Sequence, residues 1–434
     1  MEEAEEFGAL GPEALLLLRE QLREAHGRLR EQGLRLDLTR GKPSAEQLDL
    51  SNALLSLPGE GDYLAADGTD CRNYGGVLGL TELREIFSPL LQVPVDQLLA
   101  ADNSSLALMH DVVMHALLFP LPGGGPRWVD VGRPAFLCPV PGYDRHHSIC
   151  EKFGLEMIPV EPAGGGGLDL GAIERLAAAD PRIKGLWLVP KYSNPTGATV
   201  ADEAVRRLAA MPAAADDFRI LWDDAYSVHH LTDRRAAVAP VLRLCEQAGN
   251  PDRVFVFGSS SKITFGGAAV AFLGASPANL RWYLGHSAKR TIGPDKVNQL
   301  RHARFLEDAD GVLRLMERHR EILAPKFAAV HRVLAEELGA TGIATWTQAE
   351  GGYFVSLDVL DGTAAEVVRL AADAGVALTP AGATYPYGRD PRDRNLRIAP
   401  TFPPLADLDF ALRALAVCVK LAAVEKLLRA RRGQ

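Results

Sequence analysis

Leucines at helical spacing run through residues 12–32, PEALLLLREQLREAHGRLREQ, and predict an amphipathic helix. A short strand is expected next in LRLDLTRGKPS, ending in a Gly-Lys-Pro turn. From about residue 52 to 300 the pattern changes. Short apolar runs rich in β-branched and aromatic residues, RWVDVG, GLWLVP, FRILWDD, RVFVFG and AVAFLGA, alternate with turn residues and helical stretches. That alternation predicts an α/β fold with a mostly parallel sheet flanked by helices. Residues 302–339 read as a long helical region that Pro325 should kink or break. The tail offers two strands, GGYFVSLDV and NLRIAP, and helices near 363–375 and 405–430, a smaller α+β unit. The expected division is 1–51 as a segment joining the small unit, 52–300 as the large domain and 301–434 as the small domain. No internal repeat is visible, and AGGGGLDLG at 163–171 reads as a flexible turn.

Composition narrows the function classes. The chain has 434 residues, 47% hydrophobic and 24% charged, with a net charge of −8. Its pI near 5.8 argues against a nucleic-acid surface. Cys71, Cys138, Cys150, Cys245 and Cys418 are scattered without CxxC spacing, so neither a disulfide framework nor a thiolate metal site is expected. His146, His147, His229 and His230 lack paired metal spacing, and no metal is expected. No apolar run approaches the roughly 20 residues of a membrane span. The acidic start MEEAEEFGAL lacks the basic opening of a targeting peptide, which points to a cytoplasmic protein.

Parallel sheets build their sites at the carboxyl ends of their strands. GLWLVP is followed by KYSNPTG, with Asn194. RILW is followed by DDAY, with Asp223, Asp224 and Tyr226. VFVFG is followed by SSSK, with Lys262. Taken singly, these are a loop lysine, a helix-capping acid and an Asn-Pro turn. Together they place an amide, a carboxylate, a phenol and an amine on one sheet edge. A phosphate-binding P-loop would need GxxxxGK[ST], and FGSSSKIT lacks its second glycine and the Ser/Thr after the lysine. The other chemistry is a Schiff base between the amine and pyridoxal phosphate. An acid then faces the pyridine nitrogen, a phenol and an amide face the 3-oxygen, and hydroxyls and backbone N–H groups receive the phosphate.

SNPTG (193–197), DDAY (223–226), SSSK (259–262) and NLRIAP (395–400) stand in the order and spacing of a known family. The chain resembles the fold-type I, class I aminotransferases over about residues 35–425. LTRGKP (38–43), NYGGVLGLTELR (73–84) and NSSLALMHD (103–111) resemble more narrowly the aspartate aminotransferase subgroup related to MocR-type effector domains. The resemblance implies a seven-stranded-type sheet and pyridoxal 5'-phosphate as cofactor. It implies Lys262 as the Schiff-base lysine and proton carrier, Asp223 on the pyridine nitrogen, and Asn194 and Tyr226 on the 3-oxygen. Tyr143 should stack on the ring, with His146 behind Asp223. Arg397 should fork onto the substrate α-carboxylate, with Gly41 and Asn194 beside it. Ser104, Ser105, Ser259 and Ser261 should receive the phosphate, the first two at a helix start. Tyr74 should reach the phosphate of a neighbouring subunit, which implies a homodimer. One departure stands out: Val270 occupies the position where relatives carry a phosphate-binding arginine, and Lys289 and Lys296 are the candidate replacements.

The favoured expectation is transfer of an amino group from aspartate to 2-oxoglutarate, with Arg40, Lys42, Arg145 and Lys191 as candidates to read the distal carboxylate. Alternatives are other donor specificities (alanine, aromatic, kynurenine or 2-aminoadipate), and a lyase or decarboxylase on the same scaffold. A cofactor-binding regulator is disfavoured, because only about 35 residues precede the first motif, too few for a DNA-binding domain. No nucleic-acid or membrane partner is expected.

Overall fold

The computed structural model describes residues 6–33, 35–164 and 167–432; two glycines of the 163–171 turn lie outside them. The helices in chain order are α1 (Pro12–Glu31), α2 (Ala45–Asp49), α3 (Thr81–Leu91), α4 (Ser105–Leu118), α5 (Asp144–Phe153), α6 (Leu170–Ala179) and α7 (Asp202–Ala210). They continue with α8 (Val241–Gln247), α9 (Pro277–Ser287), α10 (Lys296–Leu306), α11 (Ala309–Leu338), α12 (Ala364–Asp373) and α13 (Leu405–Arg432). The strands are β1 (Leu36–Asp37), β2 (Leu98–Ala101), β3 (Ala135–Pro139), β4 (Glu156–Val160), β5 (Ile183–Leu188) and β6 (Arg219–Asp223). After them come β7 (Val254–Ser259), β8 (Ala271–Ala275), β9 (Ala344–Trp346), β10 (Val355–Val359), β11 (Val376–Ala377) and β12 (Asn395–Ile398).

Seven strands form one sheet in the order β2-β8-β7-β6-β5-β3-β4. Pairings from β7 across to β4 are parallel, and β8 runs antiparallel to both β7 and β2. The central strands β5, β6 and β7 are buried along almost their whole length because helices cover both faces. On β7, Val254 and Val256 join the core under α3, α6, α7, α8 and α10. Phe255 and Phe257 point the other way, into the core under α4, α5 and α9. A third core joins α1, α11, α12 and α13 to β10 and β12 and takes in Tyr192, Tyr226 and Tyr353. The boundary expected at residue 300 falls inside α10, whose Leu300, Ala303 and Leu306 pack with the large sheet.

Two sequence expectations are corrected, and one strand direction left open is settled. RWVDVG is not a strand: Trp128–Val131 form a 3-10 turn, and the strand follows at Ala135–Pro139. The Arg127–Asp130 ion pair at 2.7 Å has helical spacing, and the Trp128 indole N–H is drawn to Asp217 at 2.9 Å. Pro325 breaks nothing, since α11 runs unbroken from Ala309 to Leu338. Pro325 and Glu321 are exposed, so the carbonyl that proline deprives of a donor can turn to water. The break comes earlier, at Glu307 with φ of 64°, and the Asp308 carboxylate then caps α11 by accepting from the Gly311 N–H. The run AVAFLGA becomes the antiparallel β8, a direction that its apolar pattern does not encode.

Close packing at the sheet centre gives a test. A Cβ on Gly185 of β5 would sit 2.3 Å from the buried ring of Phe136. Gly185→Ala should cost about 1–3 kcal/mol, read as a lower urea midpoint. An unchanged midpoint would contradict this packing.

Candidate active site

Because β5, β6 and β7 are parallel neighbours, their carboxyl ends arrive side by side. Asp223 is the last residue of β6 and Ser259 the last of β7. A cavity of about 130 Å³ opens there, lined by Ser104, Ser105, Tyr143, Asn194, Asp223, Tyr226, Ser259, Ser261 and Lys262. The structure thus brings together nine of the residues expected from the sequence.

Asp223 is 2% exposed. Its Oδ2 accepts from His146 Nε2 at 3.0 Å, while its buried Oδ1 has no partner. The His146 ring is clamped by Trp187, stacked at 4.3 Å and 8°. His146 lies one turn along from Tyr143, so one helix start serves both side chains. Asp224, the next residue, is buried; desolvation drives its carboxyl up to about 7, with Lys191 opposing the shift.

Lys262 sits in the turn that follows β7. Burial lowers its pKa and the nearby Asp223 carboxylate opposes the shift. Its Nζ lies 5.1 Å from the ring centre of Tyr226 and 5.8 Å from that of Tyr353. Burial, then Tyr143 and Asp223, push the Tyr226 phenol up, so it stays a neutral donor. The turn itself is tied from three sides. Ser260 N–H donates to Val270 O at 2.9 Å, and Thr264 Oγ1 lies 2.9 Å from His302 Nε2. His319 Nε2 lies 2.9 Å from Ile263 O, which only accepts, so Nε2 carries the proton. Its Nδ1 then accepts from Gln47 at 3.0 Å, and Gln47 also donates to the Tyr353 hydroxyl at 2.9 Å. Sequence reasoning missed Gln47, His302 and His319, because no local motif marks residues that converge only in the fold.

At the serine end, Ser104 is the N-cap residue of α4, and its hydroxyl caps no backbone N–H. Ser259 and Ser261 hydroxyls lie 2.5 Å apart. Val270 is buried in the core. Neither candidate replacement cation lines the cavity. Lys296 is buried, and its Nζ donates to Asn73 O and Gly75 O, both at 2.7 Å. It clamps the loop that carries Tyr74, which is 80% exposed and apart from the cavity. Lys289 borders a separate surface cleft with Tyr74. Arg290 pairs with Asp102 at 2.9 Å and Asp111 at 3.1 Å, bracing the loop just before Ser104.

Arg397 on β12 is buried, with its guanidinium 4.9 Å from the Phe354 ring centre. It donates to Asp144 Oδ1 at 2.8 Å, Asn194 Oδ1 at 3.3 Å and Thr379 Oγ1 at 3.3 Å. Gly41 packs on the same Phe354: a Cβ there would meet the ring at 2.5 Å. Asp144 and Thr379 were not found from sequence. An acid in the first turn of a helix reads as an ordinary terminus residue. Of the candidate distal cations, Lys191 donates to Ser227 O at 2.6 Å and Lys42 sits 3.8 Å over the Phe402 ring. Arg40 and Arg145 are exposed. All five cysteines are buried and unpaired. Among the described residues, no cluster of three or more His, Cys, Asp or Glu could hold a metal, and no helix is long and apolar enough to cross a membrane.

A mostly parallel seven-stranded sheet with this residue set at one edge is the architecture of fold-type I aminotransferases. The aspartate amino-transferase family model matches residues 10–431, and the chain belongs to that family and is an aminotransferase. It is 50% identical to an aspartate aminotransferase of Corynebacterium glutamicum over 413 residues, covering 95% of each chain. A relative from Mycolicibacterium smegmatis is 56% identical over 427 residues, 97% of this chain and 99% of that one. The crystal structure of an aspartate transaminase from Corynebacterium glutamicum superposes with a TM-score of 0.95 at 48% identity, covering 98% of this chain and all of that one.

His319 also makes the fold acid-sensitive. Burial pushes its pKa down to about 4 from 6.5. Between those values the unfolded chain binds a proton that the folded chain does not, so stability falls as pH drops from 6.5 toward 4. The loss from this one group is bounded at roughly 3 kcal/mol. His319→Gln keeps a donor for Ile263 O and removes the titration. Its unfolding midpoint should vary less steeply with pH across this window; the wild-type slope in the variant would mean that His319 is not held neutral.

Proposed function

We propose that the chain is a pyridoxal-phosphate-dependent aspartate aminotransferase that passes the amino group of aspartate to 2-oxoglutarate in a ping-pong reaction. The observation that carries this reading is the unpartnered, buried Oδ1 of Asp223 in the cavity that Lys262 enters. A carboxylate oxygen left bare at that depth costs about 1–3 kcal/mol, and a protonated ring nitrogen is the partner its chemistry suits. The residues present therefore fit the cofactor. When bound, pyridoxal phosphate supplies a carbonyl carbon that condenses with amines and a protonated ring that draws electrons from the bond being broken.

The protein's own groups do the rest. Asp223 holds the proton on the ring nitrogen, and His146 holds Asp223 in place. Tyr143 covers one ring face, and Asn194 and Tyr226 orient the 3-oxygen. Ser104, Ser105, Ser259 and Ser261 offer hydroxyls to the phosphate, with the start of α4 adding N–H groups and the positive end of its dipole. Lys262 Nζ, made less basic by burial, takes the proton that leaves the substrate α-carbon. Arg397 binds the α-carboxylate beside Gly41 and Asn194. The similarity to a named aspartate aminotransferase supports aspartate as donor.

The exposed Tyr74 and the cleft it shares with Lys289 support a homodimer in which Tyr74 completes the neighbour's phosphate site. A division into a large and a small domain along the expected lines, with all of α10 kept in the large one, and a cytoplasmic setting belong to the same proposal.

Rapid mixing of the cofactor-loaded protein with single amino acids tests the specificity. Aspartate and glutamate should bleach the visible band of lysine-bound cofactor and raise the near-ultraviolet band of its amine form. Conversion only by alanine, aromatic or kynurenine-type donors would overturn the dicarboxylate assignment. Release of carbon dioxide or ammonia with no new amino acid would favour a lyase. Lys262→Ala should abolish the visible band, and its survival would remove Lys262 from its role.

A further inference from the structure

A planar guanidinium has five N–H donors, and most of those on Arg397 are accounted for. Both Nη1 hydrogens are taken, one by Asp144 Oδ1 at 2.8 Å and one by Asn194 Oδ1 at 3.3 Å. Nη2 gives one to Thr379 Oγ1. Nε is buried without a partner. A charge this enclosed needs an anion, and within the chain the anion is Asp144. The pair is unequal: the Arg397 side chain is 6% exposed and that of Asp144 is 28% exposed. The carboxylate is thus the member with access to water.

Asp144 is also free to leave. It is the first residue of α5, and the N-cap residue Tyr143 makes no side-chain cap there. The positive end of the α5 dipole and solvent both stabilise its charge when it turns away from Arg397. No function assigned above uses Asp144.

We propose that Asp144 is an internal carboxylate that occupies Arg397 in the substrate-free enzyme and is exchanged for the substrate α-carboxylate on binding. This rests on the reading of Arg397 as the α-carboxylate fork. While Asp144 and Asn194 hold both Nη1 hydrogens, a substrate carboxylate cannot fork across the two Nη atoms, and like charges at that distance repel. Apparent affinity for any carboxylate ligand is then reduced by the fraction of enzyme in which Asp144 has vacated Arg397. The exchange also sets a specificity rule: an amine without a carboxylate has nothing to trade and does not open the pair.

Calorimetric titration of the cofactor-loaded enzyme with succinate, an unreactive dicarboxylate, tests the exchange. Asp144→Asn and Asp144→Ser should each bind succinate about three- to tenfold more tightly than wild type. The KM for aspartate should fall in the same direction. A merely structural lesion would weaken binding, so the sign of the effect decides. Equal or weaker binding by both variants, with wild-type binding intact, overturns the exchange alone. Wild-type enzyme that binds neither succinate nor any amino acid overturns the assignment of Arg397 and the exchange with it.

Discussion

The buried carboxylate of Asp223, with one oxygen on His146 and the other on nothing, sets the terms for the rest of the site. Such a group is stable only where the surrounding fold over-determines it. β6 supplies that rigidity: it lies between two parallel neighbours, with apolar cores on both faces. Trp187 on β5 fixes His146, and His146 fixes one side of the carboxylate. What remains is one unpaired oxygen facing a cavity, a directed demand for a cationic partner. The same carboxylate opposes the burial that makes Lys262 less basic, so the amine and the acid are tuned together.

The positive charge expected at the phosphate end is missing from the described residues. Lys262 is the one basic side chain lining the cavity; hydroxyls and a helix start provide the other polar contacts. Val270, in place of an arginine, completes the apolar core instead. Arg290 acts a step back, pairing with Asp102, which sits in a left-handed conformation with φ of 61° two residues before Ser104. Lys296 likewise works on backbone, closing the Tyr74 loop. Neither contact could be inferred from position in the chain, since both join segments about 190 residues or more apart.

That contrast explains which parts of the molecule were legible beforehand. Asn194, Asp223, Tyr226 and Lys262 could be read because each follows an apolar strand, and parallel strands deliver their ends to one edge. The direction of β8 was not legible, because apolar runs look alike in either direction. RWVDVG misled because tryptophan and valine favour strands, while the Arg127–Asp130 pairing and the Trp128–Asp217 bond suit a turn. Pro325 misled because the rule against proline in helices weakens on a solvent face. Gln47, His319 and Asp144 carry no local signature; they become meaningful only when a turn, a helix and a strand end converge.

The central claim is that Asp223 keeps the cofactor ring nitrogen protonated. The most direct measurement is the ¹⁵N chemical shift of ring-labelled pyridoxal phosphate bound to the protein at mildly alkaline pH. The account predicts a protonated nitrogen in the wild type and loss of that signature in Asp223→Asn with His146 intact. An unprotonated nitrogen in the wild type, or a protonated one that survives the substitution, would contradict it.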